Sequence, residues 1–336
     1  MPDSAISTSD DATDWSRCLR ACLVTLAICA SLLFAFTIAV DPYDSGKFGI
    51  FGINGVADRN TLTANASRAR DASFDSAIIG NSTALLINPT ALSQATGLHF
   101  VQLSVVGGSP REELAVLDFF LRHHGHVGAL VIGADPSWCV HEQNNKPRPF
   151  PYWLYGDSRL AYAGYLFSGA GIEHAIQRVS IGLGKRQRSD PSGTFNSEDV
   201  WPVGQFFEKN MPADPPPAAD AASRDVFPEV AKLDAVVKNL PPDVPVVILV
   251  PPTFAPTVPQ PGSAVAAERL ACNAALRKIV AGRPHSNFIN YRVDNALTRD
   301  RGNFVDYIHY RPLIAAKISE GIAASIRQGE AARIDF

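Results

Sequence analysis

The sequence predicts an α/β fold with a doubly wound, mainly parallel sheet, an N-terminal transmembrane helix and a long aromatic-rich insertion. Three observations carry that expectation. Short unbroken apolar runs alternate with helical patterns after residue 75. A charge-free stretch of twenty residues, Ala21 to Val40, precedes them. The alternation also lapses between Asp135 and Asp225, where aromatic and proline-rich segments intervene. At 336 residues, 46% hydrophobic and 19% charged, the chain can bury a sizeable core. Its 30 basic and 33 acidic residues give a net charge of -3 and no broad basic field, which sets nucleic-acid binding aside.

The elements follow in order. Residues 1–20 read as a cytoplasmic tail, because Arg17 and Arg20 precede "ACLVTLAICASLLFAFTIAV" (21–40) while Asp41 and Asp44 follow it. Everything after Asp41 is then expected outside the cytoplasm. The run exceeds the 7–15 residues usual for a signal peptide and lacks a clean small-x-small site before Asp41, so an uncleaved signal-anchor is the first reading and a cleaved signal peptide the alternative. Cys18, Cys22 and Cys29 lie in or beside this segment; Cys139 and Cys272 remain for the exported part, where one disulfide is open to them. Neither has a metal-site partner at ligand spacing.

Residues 41–74, rich in Gly and Asp, read as a linker into the fold. "SAII" (76–79) reads as a strand, and Asn88-Pro89 as the cap and first residue of a helix through about Thr96. "HFVQLSV" (99–105) is a second strand. Ser109 and Glu112 have capping-box spacing ahead of a helix that runs to the histidines at 123 and 124. "VGALVIG" (127–133) has the continuous hydrophobicity of a buried parallel strand. The insertion, about 136–225, carries Trp138, Phe150, Tyr152, Trp153, Tyr155, Tyr162 and Tyr165, and ends in the low-complexity "PADPPPAADAA" (212–222), expected to be a disordered loop. A helix near 226–239, a strand over 245–250, a helix near 263–281, a strand over 287–291 and a last helix near 312–327 complete the alternation. The α/β domain is expected to span 75–330, with its site at the carboxyl ends of the strands.

Ser82 falls just past the end of the first strand, in "GNS" (80–82), with Gly80 free to make the turn. A serine there needs a base. His309 in "NFVDYIHYRP" stands three residues after Asp306, so that in the turn before the last helix the carboxylate can meet one imidazole nitrogen and leave the other for a nucleophile. His123, His124 and His126 cluster near a helix end, where solvent or the helix dipole explains them better than a metal. Asn65-Ala66-Ser67 and Asn81-Ser82-Thr83 also match the glycosylation sequon, and a glycan on Asn81 would exclude the serine reading.

Gly80-Asn81-Ser82 after the first strand, "VVGGSP" (105–110) after the second and Asp306-x-x-His309 before the last helix together resemble the SGNH/GDSL hydrolase superfamily. The chain looks most like the membrane-anchored envelope members related to the alginate O-acetylation proteins and the D-alanyl transfer protein of teichoic acid synthesis. The resemblance runs from residue 75 to 325. It implies an SGNH/flavodoxin-like three-layer sandwich, Ser82 as nucleophile, His309 as base, Asp306 as its partner, and backbone amides of Ser82 and Gly107 or Gly108 as oxyanion donors. It implies no cofactor and no metal, an envelope carbohydrate or other acyl ester as substrate, and a multi-span acyl-donating partner in the membrane. Two positions depart from the family pattern. Asn81 replaces its aspartate, and in "GADPSW" (133–138) Ala134 replaces the asparagine that donates to the oxyanion, with Asn144 or Asn145 of the insertion, or the two backbone amides alone, as substitutes. The alternative is a non-catalytic envelope binding or assembly protein that keeps the fold.

Overall fold

A computed structural model of the protein describes residues 8–140, 149–195 and 227–329. They fall into two compact units, one of Met1–Ala57 with Ser158–Gln187, the other of Asp58–Asp157 with Arg188–Phe336.

The larger unit is built on five parallel strands: β1 (Ser76–Ile79), β2 (Phe100–Gln102), β3 (Ala129–Gly133), β4 (Val246–Val250) and β5 (Asn287–Asn290), in the order β2-β1-β3-β4-β5. Register runs Ile78 to Gln102 and Val131, then Val131 to Val247 and Leu249 to Ile289. β1, β3 and β4 are buried along their whole length, as the unbroken apolar runs require of strands covered on both faces. On one face Ile78, Ala129, Val131, Val247 and Leu249 share a cluster with Leu92 and with Ile314, Ile318 and Ile322. The α-helices supplying those residues are Pro89–Thr96 and Pro312–Gln328. The alternate residues Ala77, Ile79, Leu130, Ile132, Val246 and Ile248 are equally buried. Period-2 geometry points them the other way, toward the helices Pro110–His123, Pro228–Lys238 and Ala264–Val280. This is the α/β class, with each strand and major helix within a few residues of its expected bounds.

The smaller unit holds α1 (Thr8–Val40), whose Trp15–Val40 portion is long and apolar enough to cross a membrane, together with α6 (Arg159–Leu166) and α7 (Gly169–Gly182), counting α2 to α5 as Thr61–Ala69, Pro89–Thr96, Pro110–His123 and Tyr152–Tyr155. Two expectations change. The 41–74 linker contains α2, started by the Asn60 side chain accepting from Leu62 N, and belongs in part to each unit. The insertion is likewise split, since residues 158–187 join the N-terminal segment while Trp138 and Tyr155 are buried in the α/β unit. Asn144, Asn145 and the proline-rich 212–222 stretch lie outside the described residues.

Candidate active site

The order β2-β1-β3 reverses direction at β1, which leaves a crevice at the carboxyl ends of β1 and β3. Ser82 is there because the chain turns sharply after β1. The turn needs glycine on both strands: a Cβ on Gly80 would lie 2.7 Å from Ala84 Cβ, and one on Gly133 would lie 2.8 Å from the same methyl. Asn81 shapes it by accepting from Thr83 N (3.0 Å) and Thr83 Oγ1 (2.8 Å) through Oδ1. From β2, the buried Gln102 side chain donates to Ala84 O (3.0 Å) and Ile87 O (3.1 Å).

His309 arrives on the loop between Phe304 and Tyr310, which are themselves bridged. Val305 N donates to His309 O at 2.8 Å, and Phe254 N to Tyr307 O at 2.9 Å, so the loop is tied to itself and to the segment after β4. His309 Nε2 lies 2.8 Å from Ser82 Oγ and His309 Nδ1 2.7 Å from Asp306 Oδ2. Asp306 Oδ1 accepts from the amides of Ile308 and His309, both at 2.8 Å. Partial burial pushes the Asp306 carboxyl up, but the hydrogen bonds and charge of His309 and the two amides outweigh it and hold the group below its ordinary value. An ionised Asp306 only accepts, so Nδ1 carries the proton and Nε2 is left to accept from the Ser82 hydroxyl. The residues that the sequence placed at 82, 306 and 309 form one continuous relay.

The oxyanion side has two candidate donors. Gly108 N donates to Val105 O at 2.7 Å, closing a turn in which Gly107 has φ of 63°. That commits the Gly108 amide; the amides of Ser82 and Gly107 donate to no hydrogen bond among the described residues. Asp135, the residue after Ala134, does not point at the nucleophile as a donor. Its Oδ2 accepts from Asn81 Nδ2 at 2.7 Å and its Oδ1 from Ser137 N at 3.0 Å, so it joins the ends of β1 and β3. Beneath this turn the fully buried Glu113 accepts from Trp138 Nε1 at 3.1 Å. Burial, reinforced by the charge of Asp135, raises its pKa well above the ordinary range.

Beyond β3 the carboxyl edge opens into a cavity of about 240 Å³. Ala134, Val250, Val258, Pro261, Ala266 and Leu270 give it apolar walls, and Arg269 and Arg292 also line it. That is larger than the ~150 Å³ apolar cavity that takes a benzene ring. Cys139 and Cys272 form a disulfide that joins the turn after β3 to α9 (Ala264–Val280), counting α8 as Pro228–Lys238; these are two walls of this cavity.

The remaining sequence candidates resolve plainly. His123 and His124 hydrogen-bond to Phe119 O and Phe120 O and lie against those rings, and no metal-binding group occurs among the described residues. Neither sequon presents an exposed asparagine: Asn65 is fully buried and donates to Leu103 O and Ser104 O, and Asn81 is 7% exposed. Sequence reasoning overlooked Gln102, Asn65 and the structural use of Asp135. A glutamine inside the apolar run "FVQLSV" was the available signal for the first. The chain matches no protein-family model, no curated protein and no solved structure.

Proposed function

We propose that the protein is a membrane-anchored SGNH-like serine acyl-ester hydrolase or O-acyltransferase whose α/β unit faces the cell envelope and acts on O-acyl groups of envelope carbohydrate. The observation that carries this reading is the relay from Asp306 through His309 to Ser82, with both links below 3 Å. In the first half-reaction Ser82 Oγ attacks the ester carbonyl carbon while His309 Nε2 takes its proton. The negative charge on the carbonyl oxygen is met by the amides of Ser82 and Gly107. Collapse of the tetrahedral intermediate breaks the C–O bond of the leaving alcohol, which takes the proton back from Nε2 and leaves an acyl group on Ser82. Water or a sugar hydroxyl then attacks by the same steps in reverse, so hydrolysis and transfer share one constellation. In a transferase of this kind, a multi-span membrane partner supplies the acyl group.

The binding-protein alternative has less support, since it gives no reason for a serine, an imidazole and a carboxylate to be aligned at hydrogen-bonding distance. The test is labelling of the full-length protein in detergent with a fluorophosphonate probe, alongside hydrolysis of an aryl acetate. Wild type is expected to label and Ser82→Ala to lose the signal. Equal labelling of the two would sink the reading.

A further inference from the structure

The smaller unit carries apolar surface of a kind that water does not favour. From Leu160 to Ile172, through α6 and the turn into α7, there is no charged residue. The inner face of α6 buries Tyr162, Ala163 and Leu166, yet beyond the exposed Arg159 at its first position its outer face is apolar too, with Leu160 84%, Tyr165 54% and, at the cap, Phe167 51% exposed. A helix turn that is apolar on both faces is better placed inside protein or lipid than in water. Ile176 and Leu183 of α7 and Ile50 and Phe51 of the loop after α1 are also exposed. The loop meets the end of α7, where a Cβ on Gly182 would sit 3.0 Å from the Ile53 side chain. Together these are seven large apolar side chains exposed within the smaller unit.

Its place along α1 says what covers it. Phe167 packs edge-on against Phe34 of α1, ring centroids 6.4 Å apart. Phe34 lies six residues before Val40, about 9 Å along the helix axis at 1.5 Å per residue. The charge-free run from Ala21 to Val40 is about 30 Å long, which matches the hydrocarbon thickness with little to spare. Sliding the bilayer toward the N-terminus, to clear Phe34, would draw Arg20 and Arg17 into lipid. The α6–α7 junction therefore lies within the span, close to its end at Val40. The polar residues at this level are internally satisfied: Arg178 of α7 pairs with Asp44 and donates to Val40 O, Asp41 O and Ile53 O, and Tyr162 donates to Asp41. Lys185 and Arg186 follow Leu183 and are exposed, as residues that meet phosphate headgroups are. Glu173, between the junction and Arg178 on α7, is exposed as well and accepts from Gln177 at 2.9 Å.

We propose that the α6–α7 hairpin is a lipid-binding foot, its outer face of Leu160, Tyr165 and Phe167 seated in the leaflet at which α1 ends. Lys185 and Arg186 lie at the headgroups. A lone transmembrane helix is free to rotate about its axis; a foot fixed to it by Arg178 removes that freedom and sets which side of the unit meets the bilayer. The proposal rests on α1 being a membrane span, and the experiment separates the two.

The full chain, with Cys18→Ser, Cys22→Ser and Cys29→Ser and its disulfide intact, would be spin-labelled at single sites in vesicles of phosphatidylethanolamine and phosphatidylglycerol. Leu26→Cys reports the span, Lys278→Cys in α9 reports water, and Leu160→Cys and Phe167→Cys report the foot. Relaxation by oxygen, which concentrates in lipid, is compared with relaxation by a water-soluble nickel chelate. The foot predicts oxygen-to-nickel ratios at 160 and 167 closer to that of position 26 than to that of position 278. Ratios at 160 and 167 that follow position 278, while position 26 stays in lipid, overturn the foot and leave the anchor standing. A label at 26 that follows 278 overturns the anchor and the foot with it. Labels at 160 and 167 that neither reagent reaches mean that protein covers the face, which also overturns the proposal.

Discussion

Two polar clusters in this molecule use similar groups to opposite ends. In the α/β unit, Asp306, His309 and Ser82 form a chain in which the His309 and Asp306 side chains keep 17% and 28% exposure and neighbouring amides are left without acceptors. In the smaller unit, Arg178 and Asp44 are 5% and 4% exposed, and the guanidinium is met by the Asp44 carboxylate and by backbone carbonyls at the end of α1 and beyond. The first cluster is open at one end, where a substrate can complete it. The second is closed, with its donors directed into the chain itself. A buried charge needs that closure to be tolerated at all, whereas a nucleophile needs the opposite.

Changes at the two clusters should therefore separate reactivity from stability. The largest effect is expected from Asp306→Asn, which keeps the shape but no longer holds His309 in the tautomer that accepts from Ser82. Turnover of an aryl ester should fall by roughly 10⁴, as loss of the triad carboxylate does elsewhere, with the melting temperature little changed. A fall of less than tenfold would mean that the relay does not operate. Next is Arg178→Met, which removes the cation paired with Asp44 and the donor to several carbonyls, leaving the carboxylate its bond from Gly55 N at 2.8 Å. It should destabilise the smaller unit by about 3–5 kcal/mol, read by denaturation in detergent, while fluorophosphonate labelling of Ser82 per folded molecule is retained. Asp135→Ala tests the tie between the β1 and β3 turns. Freed of its 2.7 Å bond, Asn81 keeps only its bonds from Thr83, the serine turn loses its tie to the end of β3, and turnover should fall by about 10–100-fold, on the scale of a lost residue that positions a reacting group.

The smallest effect is a pH dependence at Glu113. Its folded-state pKa is raised, so its contribution to stability is complete below the ordinary glutamate value and is lost as pH rises toward the folded value. Wild type should lose stability by this route as pH rises above the ordinary glutamate value, and Glu113→Gln should flatten that slope in thermal melts. An unchanged slope would show that Glu113 does not titrate in this way.

Much of the fold could be read locally. Each strand is built on two to five consecutive apolar residues. The helix starts at Asn88-Pro89 and Ser109-x-x-Glu112 follow capping chemistry that acts within one turn, and both appear where the spacing places them. Asp306 and His309 are three residues apart, so their pairing was legible as well. Long-range partnerships were not. Arg178 looked like an ordinary helix residue, and its partners lie more than a hundred positions earlier in the chain. Gln102 and Asn65 bond to carbonyls 15 to 39 residues away. No periodicity encodes such contacts, because they depend on which elements the fold makes neighbours.

The sequence by itself determined the long apolar helix at residues 21–40, the alternation that makes a parallel sheet, and the residue types that could serve as nucleophile, base and carboxylate. Those properties reside in composition and in spacings shorter than a helical turn or a strand. Only the tertiary structure decided that Ser82 and His309, 227 positions apart, lie 2.8 Å from one another. It also decided that Asp135 ties two strand ends together and that Phe167, at the end of α6, packs edge-on against Phe34 of α1. The physical reason is that hydrogen bonds and packing act over a few ångströms of space, and chain separation does not fix which groups come that close.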